Sequence, residues 1–199
     1  MEHTIELALC GTVSVPPQPF ELQPDSGLYK LCLCVRRRSG NCDRLPVLVH
    51  PEQCPVGRMA RGYGLSITGR LGSQWHYDGG RHLMVMAVAQ HIQPVHAPPG
   101  EGRNRVALHG KLNKPPTLRR TPLGREIADF LLVVDRANAD QSFIPCIAWG
   151  QQARAICRRA GEGEVQVLGR FQSREYRKQT PQGVCVRRAM EVSVCGFEV

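Results

Sequence analysis

The stretch EVQVLGRFQSREYRK, residues 164–178, is where the reading of this chain begins. At the two-residue period of a β-strand, Val165, Val167, Gly169, Phe171 and Ser173 fall on one face, and Arg170, Gln172, Arg174, Tyr176 and Lys178 on the other. The first face can bury apolar surface. The second presents guanidinium groups and a phenol ring, which suit a flat, negatively charged ligand. Single-stranded nucleic acid is held in this way, by cations along its phosphates and aromatic rings under its bases, with stacking of about 1–3 kcal/mol per base. The competing reading is the solvated outer face of a curved antiparallel strand.

Working outward, GRFQS at 169–173 repeats GRLGS at 69–73, an offset of 100. The same self-similarity runs through the chain at an offset of 99. Leu9, Gly11 and Pro16-Pro17 match Leu108, Gly110 and Pro115-Pro116. Leu31, Leu33, Val35 and Arg37 match Phe130, Leu132, Val134 and Arg136, and Leu45-Pro46 matches Ile144-Pro145. The chain is therefore two copies of one unit. Between them PVHAPPGEGR, residues 94–103, breaks both periodicities with three Pro and two Gly. It reads as a stiff linker that keeps two domains close without fusing their cores. The expected division is 1–96, a linker at 97–103, and 104–199.

In the second copy the pattern predicts strands at 104–113, 125–136 and 142–149, with a turn at 121–124. Ala153, Ile156, Cys157 and Ala160 then recur at helical spacing within 150–160, so a short amphipathic helix follows. The long strand of 164–178 and a last strand at 184–197 complete the unit. Strand, strand, strand, helix, strand, strand is the order of the OB-fold, a five-stranded partly open Greek-key barrel. The fold class expected is all-β with one short helix per unit, in two tandem OB-fold barrels. Pro145 within a strand predicts a bulge or an unpaired stretch. Pro51 and Pro55 interrupt the helix position of the first copy, so that helix is expected to be short, irregular or missing.

Of the 199 residues, 42% are hydrophobic and 22% charged, enough for a packed core. The net charge of +9 suits a polyanionic partner. It is lopsided: residues 1–102 hold nine Lys/Arg against eight Asp/Glu, and residues 103–199 hold seventeen against nine. The start MEHTIELALCG has no signal-peptide pattern, and the longest apolar run, 83–89, is too short to span a bilayer, so a soluble, cytoplasmic protein without membrane contact is expected, nucleoid-associated if its polyanionic partner is DNA. Nine Cys without a CxxC pair argue against a disulfide framework and a zinc ribbon. Cys32, Cys34, Cys146, Cys185 and Cys195 read as small buried hydrophobes. A metal site drawing on Cys32, Cys34, Cys42, Cys54 or His50 is the alternative, but no metal and no cofactor is expected.

The second copy, through TPLGREIADF at 121–130, FIPCIAWG at 143–150 and GRFQSREY at 169–176, closely resembles the bacterial single-stranded DNA-binding proteins. The resemblance covers residues 103–199; residues 1–96 share it mainly through the repeat. It implies an OB-fold that binds single-stranded DNA with little sequence preference and protects it in replication, repair and recombination. The stacking aromatics of the family correspond to Phe143, Trp149 and Tyr176. Phe143 and Trp149, six apart, share a face of one strand. Phe130 and Phe171 read as core. For phosphate contacts the candidates are Lys111, Lys114, Arg119, Arg120, Arg125, Arg170, Arg174, Arg177 and Lys178, then Arg187 and Arg188. Arg154, Arg158 and Arg159 read as the solvated side of the helix. In the first copy Trp75, Tyr77, Arg36, Arg37, Arg38 and Arg70 could serve the same chemistry.

Family members usually carry a long tail with an acidic tip that recruits other enzymes, whereas this sequence stops at GFEV, so replication or repair partners are not expected to dock by that route. Two OB-folds per chain imply a homodimer with four. There is no HExxH, GxSxG or Walker-type phosphate loop, and no enzyme is expected. A replication-restart accessory protein and a single-stranded RNA binder share the fold, and nothing in the sequence reports contacts to a 2′-hydroxyl.

Overall fold

The computed structural model describes residues 6–53, 56–77, 80–96, 102–136, 140–158, 163–180 and 183–198. In the first half, β1 (Leu7–Pro19), β2 (Tyr29–Arg36), β3 (Cys42–Val49), β4 (Gly64–Tyr77) and β5 (Arg81–Pro94) follow one another. β1 pairs with both β2 and β4, β2 with β3, and β4 with β5; a short parallel ladder between β3 and β5 closes the barrel. The second half repeats this with β6 (Asn104–Leu112), β8 (Glu126–Asp135), β9 (Gln141–Trp149), β10 (Glu164–Thr180) and β11 (Gly183–Glu198), closed by a parallel contact between β9 and β11. A short strand, β7 (Thr117–Arg120), adds to the edge of β8, and α1 (Gln151–Arg158) lies between β9 and β10. Both halves thus have the OB-fold strand order.

The glycines that revealed the repeat sit where backbones nearly touch. A Cβ on Gly11 would stand 2.3 Å from the Cys34 carbonyl oxygen, and one on Gly110 would stand 2.2 Å from that of Val133. Gly69 and Gly169 meet the carbonyls of Val88 and Ser193 at 2.1 and 2.4 Å, each directly after a bulge in a long hairpin. These four positions turn strands around the barrels, and no side chain fits there. Inside, Val165, Val167, Phe171 and Phe130 are buried, as the alternation predicts.

The two barrels do not hang as beads on a linker. β1 pairs antiparallel with β6, Leu7 facing Val106 and Leu9 facing Asn104, so one eleven-stranded sheet and one apolar core run through both halves. Of the linker, residues 97–101 lie outside the described residues. Gly102 and Arg103 are tied down: the Gly102 amide donates to the Arg36 carbonyl at 3.0 Å, and the Cys10 amide donates to that of Arg103 at 2.8 Å.

Leu7 and Val106 are themselves 99 apart, so the repeat turns about a local twofold through this pair. The hydroxyls obey it. Ser73 on β4 accepts from the Phe143 amide at 2.7 Å, and Ser173 on β10 from the Arg44 amide at 3.2 Å. Arg136 spans the seam, donating to Glu6 Oε1 at 2.9 Å and to the Leu71 carbonyl, while Glu6 also accepts the Leu71 amide at 3.0 Å. On the other side buried Asp43 accepts from Arg37 Nε at 2.7 Å and from the Ser173 amide at 3.1 Å.

Several expectations are corrected. The expected fold class has one helix in each unit, but among the described residues the first unit has no α-helix; at that position stand two single 3₁₀ turns, Pro51–Gln53 and Val56–Arg58, short and irregular as Pro51 and Pro55 predict. Pro145 causes no bulge, since the β8–β9 ladder runs unbroken through Leu131 facing Pro145. A proline fits where its nitrogen points away from the partner strand, and on the other edge the ladder with β11 reaches only Cys146 and Ile147. Cys34 is not a reduced hydrophobe: it forms a disulfide with Cys42 across β2 and β3. Neither can then be a thiolate metal ligand, and Cys54 lies outside the described residues. Gln172 is buried rather than displayed: Glu191 accepts its amide at 2.8 Å, and its own oxygen accepts from Arg170 at 3.1 Å.

Gly169→Ala drives a methyl into the Ser193 carbonyl and is expected to lower unfolding stability by about 1–3 kcal/mol in urea titration. Reduction of the Cys34–Cys42 bridge, which closes a short loop, should cost about 2–3 kcal/mol. Dithiothreitol should therefore destabilise the wild-type chain and leave Cys42→Ser unchanged.

Candidate nucleic-acid interface

β10 and β11 carry much of the cationic sequence on a long hairpin. Tyr176 is 37% exposed, with the Arg174 guanidinium 5.8 Å from its ring centre. Arg174 is itself held by Glu191 at 3.3 Å, and Arg188 by Glu175 at 2.7 Å. Arg177 is exposed with no ion-pair partner among the described residues. The Lys178 side chain lies outside the described residues. Arg187 reaches the other half, donating to His82 Nε2 at 3.1 Å. A guanidinium can only donate, so the imidazole nitrogen accepts.

Between the halves opens a cleft of about 920 Å³, walled by Leu83, Phe130 and Met190 and by the polar groups of Tyr176, Arg81 and Arg174. Alternation on β9 puts Phe143, Pro145 and Trp149 on the face opposite buried Ser142, Ile144, Cys146 and Ala148. The two aromatics share a face but not a surroundings. Phe143 is half-buried against Trp75 of the other half, ring centres 6.4 Å apart and planes at 51°. Arg81 lies 3.8 Å over the centre of Trp75, within cation–π range. Trp75, Phe143 and Arg81 thus form one aromatic and cationic group that neither half contains alone. Tyr77 is 72% exposed near the tip of the β4–β5 hairpin.

Trp149, 39% exposed, ends β9 beside a second cleft of about 540 Å³ together with Arg120, Arg125 and Arg154. Glu126 at its edge accepts from Arg154 and, at 3.4 Å, from Arg120. The Arg154 hydrogen bond holds the Glu126 carboxyl below the usual range. Arg125 and Lys114 have no ion-pair partner among the described residues, whereas Arg119 is paired with Asp129 and Lys111 with Glu164 at 3.5 Å. Arg170 is half-buried at the seam.

Two residues of these clefts are not among the contacts predicted from sequence. Arg154 is exposed, as its place on the solvated side of α1 predicts, and it also lines the cleft of Trp149. Arg81 stands diagonal to Trp75 because Tyr77 pairs with Arg81 across the hairpin, a register that depends on the length of the turn. Among the described residues no three His, Cys, Asp or Glu side chains gather as a metal site.

Comparison with known proteins adds a family to this geometry. Residues 103–196 match the Single-strand binding protein family. The second half of the chain is thus similar to that family. Within that family, single-stranded DNA-binding protein A of Bacillus subtilis is 40% identical over 98 residues, which cover 46% of this chain and 57% of the relative. Single-stranded DNA-binding protein 1 of Lactococcus lactis is 38% identical over 90 residues, 42% of this chain and 60% of the relative. The chain therefore spans less than two thirds of the length of these relatives. In three dimensions both halves superpose on the single-stranded DNA binding protein of Thermus aquaticus, with a TM-score of 0.70 at 24% identity over 96% of this chain and 90% of that one. That likeness establishes a shared fold in both halves.

The surroundings of the two tryptophans differ enough to measure. In single-tryptophan variants, acrylamide is expected to quench Trp149 (in Trp75→Phe) more strongly than Trp75 (in Trp149→Phe), since Arg81 and Phe143 screen Trp75.

Proposed function

We propose that this chain binds single-stranded DNA with little sequence preference and protects it during replication, repair and recombination. The observation that carries the reading is the family match of the second half, together with exposed Trp149 and Tyr176 set among arginines. Bases stack on Trp149 and Tyr176, and on the composite Trp75–Phe143 group where the strand crosses between halves. Lys114, Arg125 and Arg177, which lack ion-pair partners among the described residues, neutralise phosphates most readily. Those already paired, such as Arg119, exchange a carboxylate for a phosphate and gain less. The role is one of binding without catalysis and without a cofactor. The protein works in the cytoplasm, on the nucleoid, as a homodimer with four OB-folds.

Tryptophan fluorescence titration with poly(dT) at several salt concentrations, beside duplex DNA and poly(U), tests this. Strong, salt-sensitive quenching by poly(dT) and little by duplex is expected. Trp149→Ala and Tyr176→Ala, the first read through Trp75, should each weaken binding by about 1–3 kcal/mol with little change in salt slope, and Arg177→Ala should reduce the slope by about 0.7. Equal affinity for poly(U) would redirect the assignment to RNA, and no binding of poly(dT) at low salt would refute it.

A further inference from the structure

A third cavity, of about 420 Å³, opens at the seam between the halves, and no aromatic residue lines it among the described residues. Its wall carries Arg36, Arg37 and Arg38 from the end of β2 and the turn after it, and Arg170 from β10. Among the described residues that line it the one carboxylate is Asp43, which is buried and already holds the Arg37 guanidinium and the Ser173 amide. That pairing raises the Arg37 pKa. Arg170 has no such neutraliser: it donates to the neutral Gln172 Oε1 at 3.1 Å. Burial, and next the neighbouring Arg37, push its pKa below the ordinary arginine value. Arg36 is exposed at the rim and makes no ion pair among the described residues.

The local twofold supplies an internal control. Ninety-nine residues beyond Arg36 and Arg38 stand Asp135 and Ala137, and Arg136, the counterpart of Arg37, is held by Glu6. The position 99 beyond Glu6 is Arg105, and Asp43 takes the place of that carboxylate for Arg37, so the difference between the seams lies in Arg36 and Arg38. The positive excess is thus built into one seam and is not a by-product of the repeat.

We propose that this pocket binds a phosphodiester group of the single strand through Arg36 and Arg170, with Arg37 and Arg38 adding charge to the wall, and so pins the strand where the two halves meet. This rests on the single-strand reading above. Planar guanidinium groups converging from two elements suit the tetrahedral oxygens of a phosphate, and the lack of an aromatic excludes a stacked base. Tyr176 and Arg170 stand six residues apart on β10, a separation of roughly 20 Å.

Two measurements on the full chain decide it. Thermal unfolding in sodium phosphate should exceed that in sodium chloride of equal ionic strength. The increment should vanish in the Arg36→Gln/Arg170→Gln double variant and persist in Arg158→Gln, which removes an equal kind of charge from α1. Relief of repulsion with Arg37 should leave the double variant at least as stable as wild type in chloride, which shows that it folds. An equal phosphate increment in wild type and double variant would overturn the anion site. In poly(dT) titrations the double variant should lower the salt slope by about 0.7 for each arginine removed. An unchanged slope beside a lost phosphate increment would limit the pocket to free phosphate and overturn the strand contact. If wild type itself fails to bind poly(dT), the single-strand reading falls and the strand contact with it, while the phosphate increment still reports on the anion site.

Discussion

The antiparallel pairing of β1 with β6 is the constraint on which the rest of the molecule depends. It brings equivalent residues of the two copies, Leu7 and Val106, face to face, and a strand pair can do that only about a local twofold. Once the twofold is set, the third strand of each barrel must lie against the fourth strand of the other. The serine hydroxyls of Ser73 and Ser173 then fall where they can take the amides of Phe143 and Arg44. Buried backbone amides need acceptors, so these small side chains are as much part of the seam as its apolar residues.

The same geometry governs the charges. Two copies of a barrel joined edge to edge place two arginines, Arg37 and Arg136, at corresponding points near the seam. Each is largely buried and needs a counter-charge, yet the partners differ: Asp43 from β3 for one, Glu6 from the start of β1 for the other. A buried pair of this kind is retained because removing one member leaves the other uncompensated. The choice of partner fixes where positive charge is left over. Along the second half much of the excess is partly neutralised in place, by Glu126, Asp129, Glu175 and Glu191, so a count of arginines overstates the number free to meet a phosphate.

Much of the fold was legible because its signals are local or repeat. Alternation along 164–171 places Val165, Val167 and Phe171 inside, and the spacing of Ala153 and Ile156 gives the buried side of α1. Gly11, Gly69, Gly110 and Gly169 announced the repeat because each sits where a Cβ would strike a carbonyl oxygen. What misled lay in contacts between distant segments. Gln172 keeps the polar face of its alternation and is buried all the same, held between Arg170 and Glu191. Cys34 and Cys42 look like two of nine scattered thiols until the β2–β3 register sets their Cα atoms 5.8 Å apart.

Two OB-fold units, the approximate spans of the long strands in the second, their inward faces and a set of candidate aromatic and cationic residues were fixed in one dimension, since these follow from residue periodicity and from close approaches that admit only glycine. The tertiary structure alone decided which aromatics keep company. Trp75 meets Phe143 and Arg81, and Trp149 meets Arg120 and Arg154, because strand register and the twofold bring together side chains from separate strands and, in the first group, from separate halves. Such pairings depend on the relative placement of whole elements, and a one-dimensional pattern carries no record of that placement.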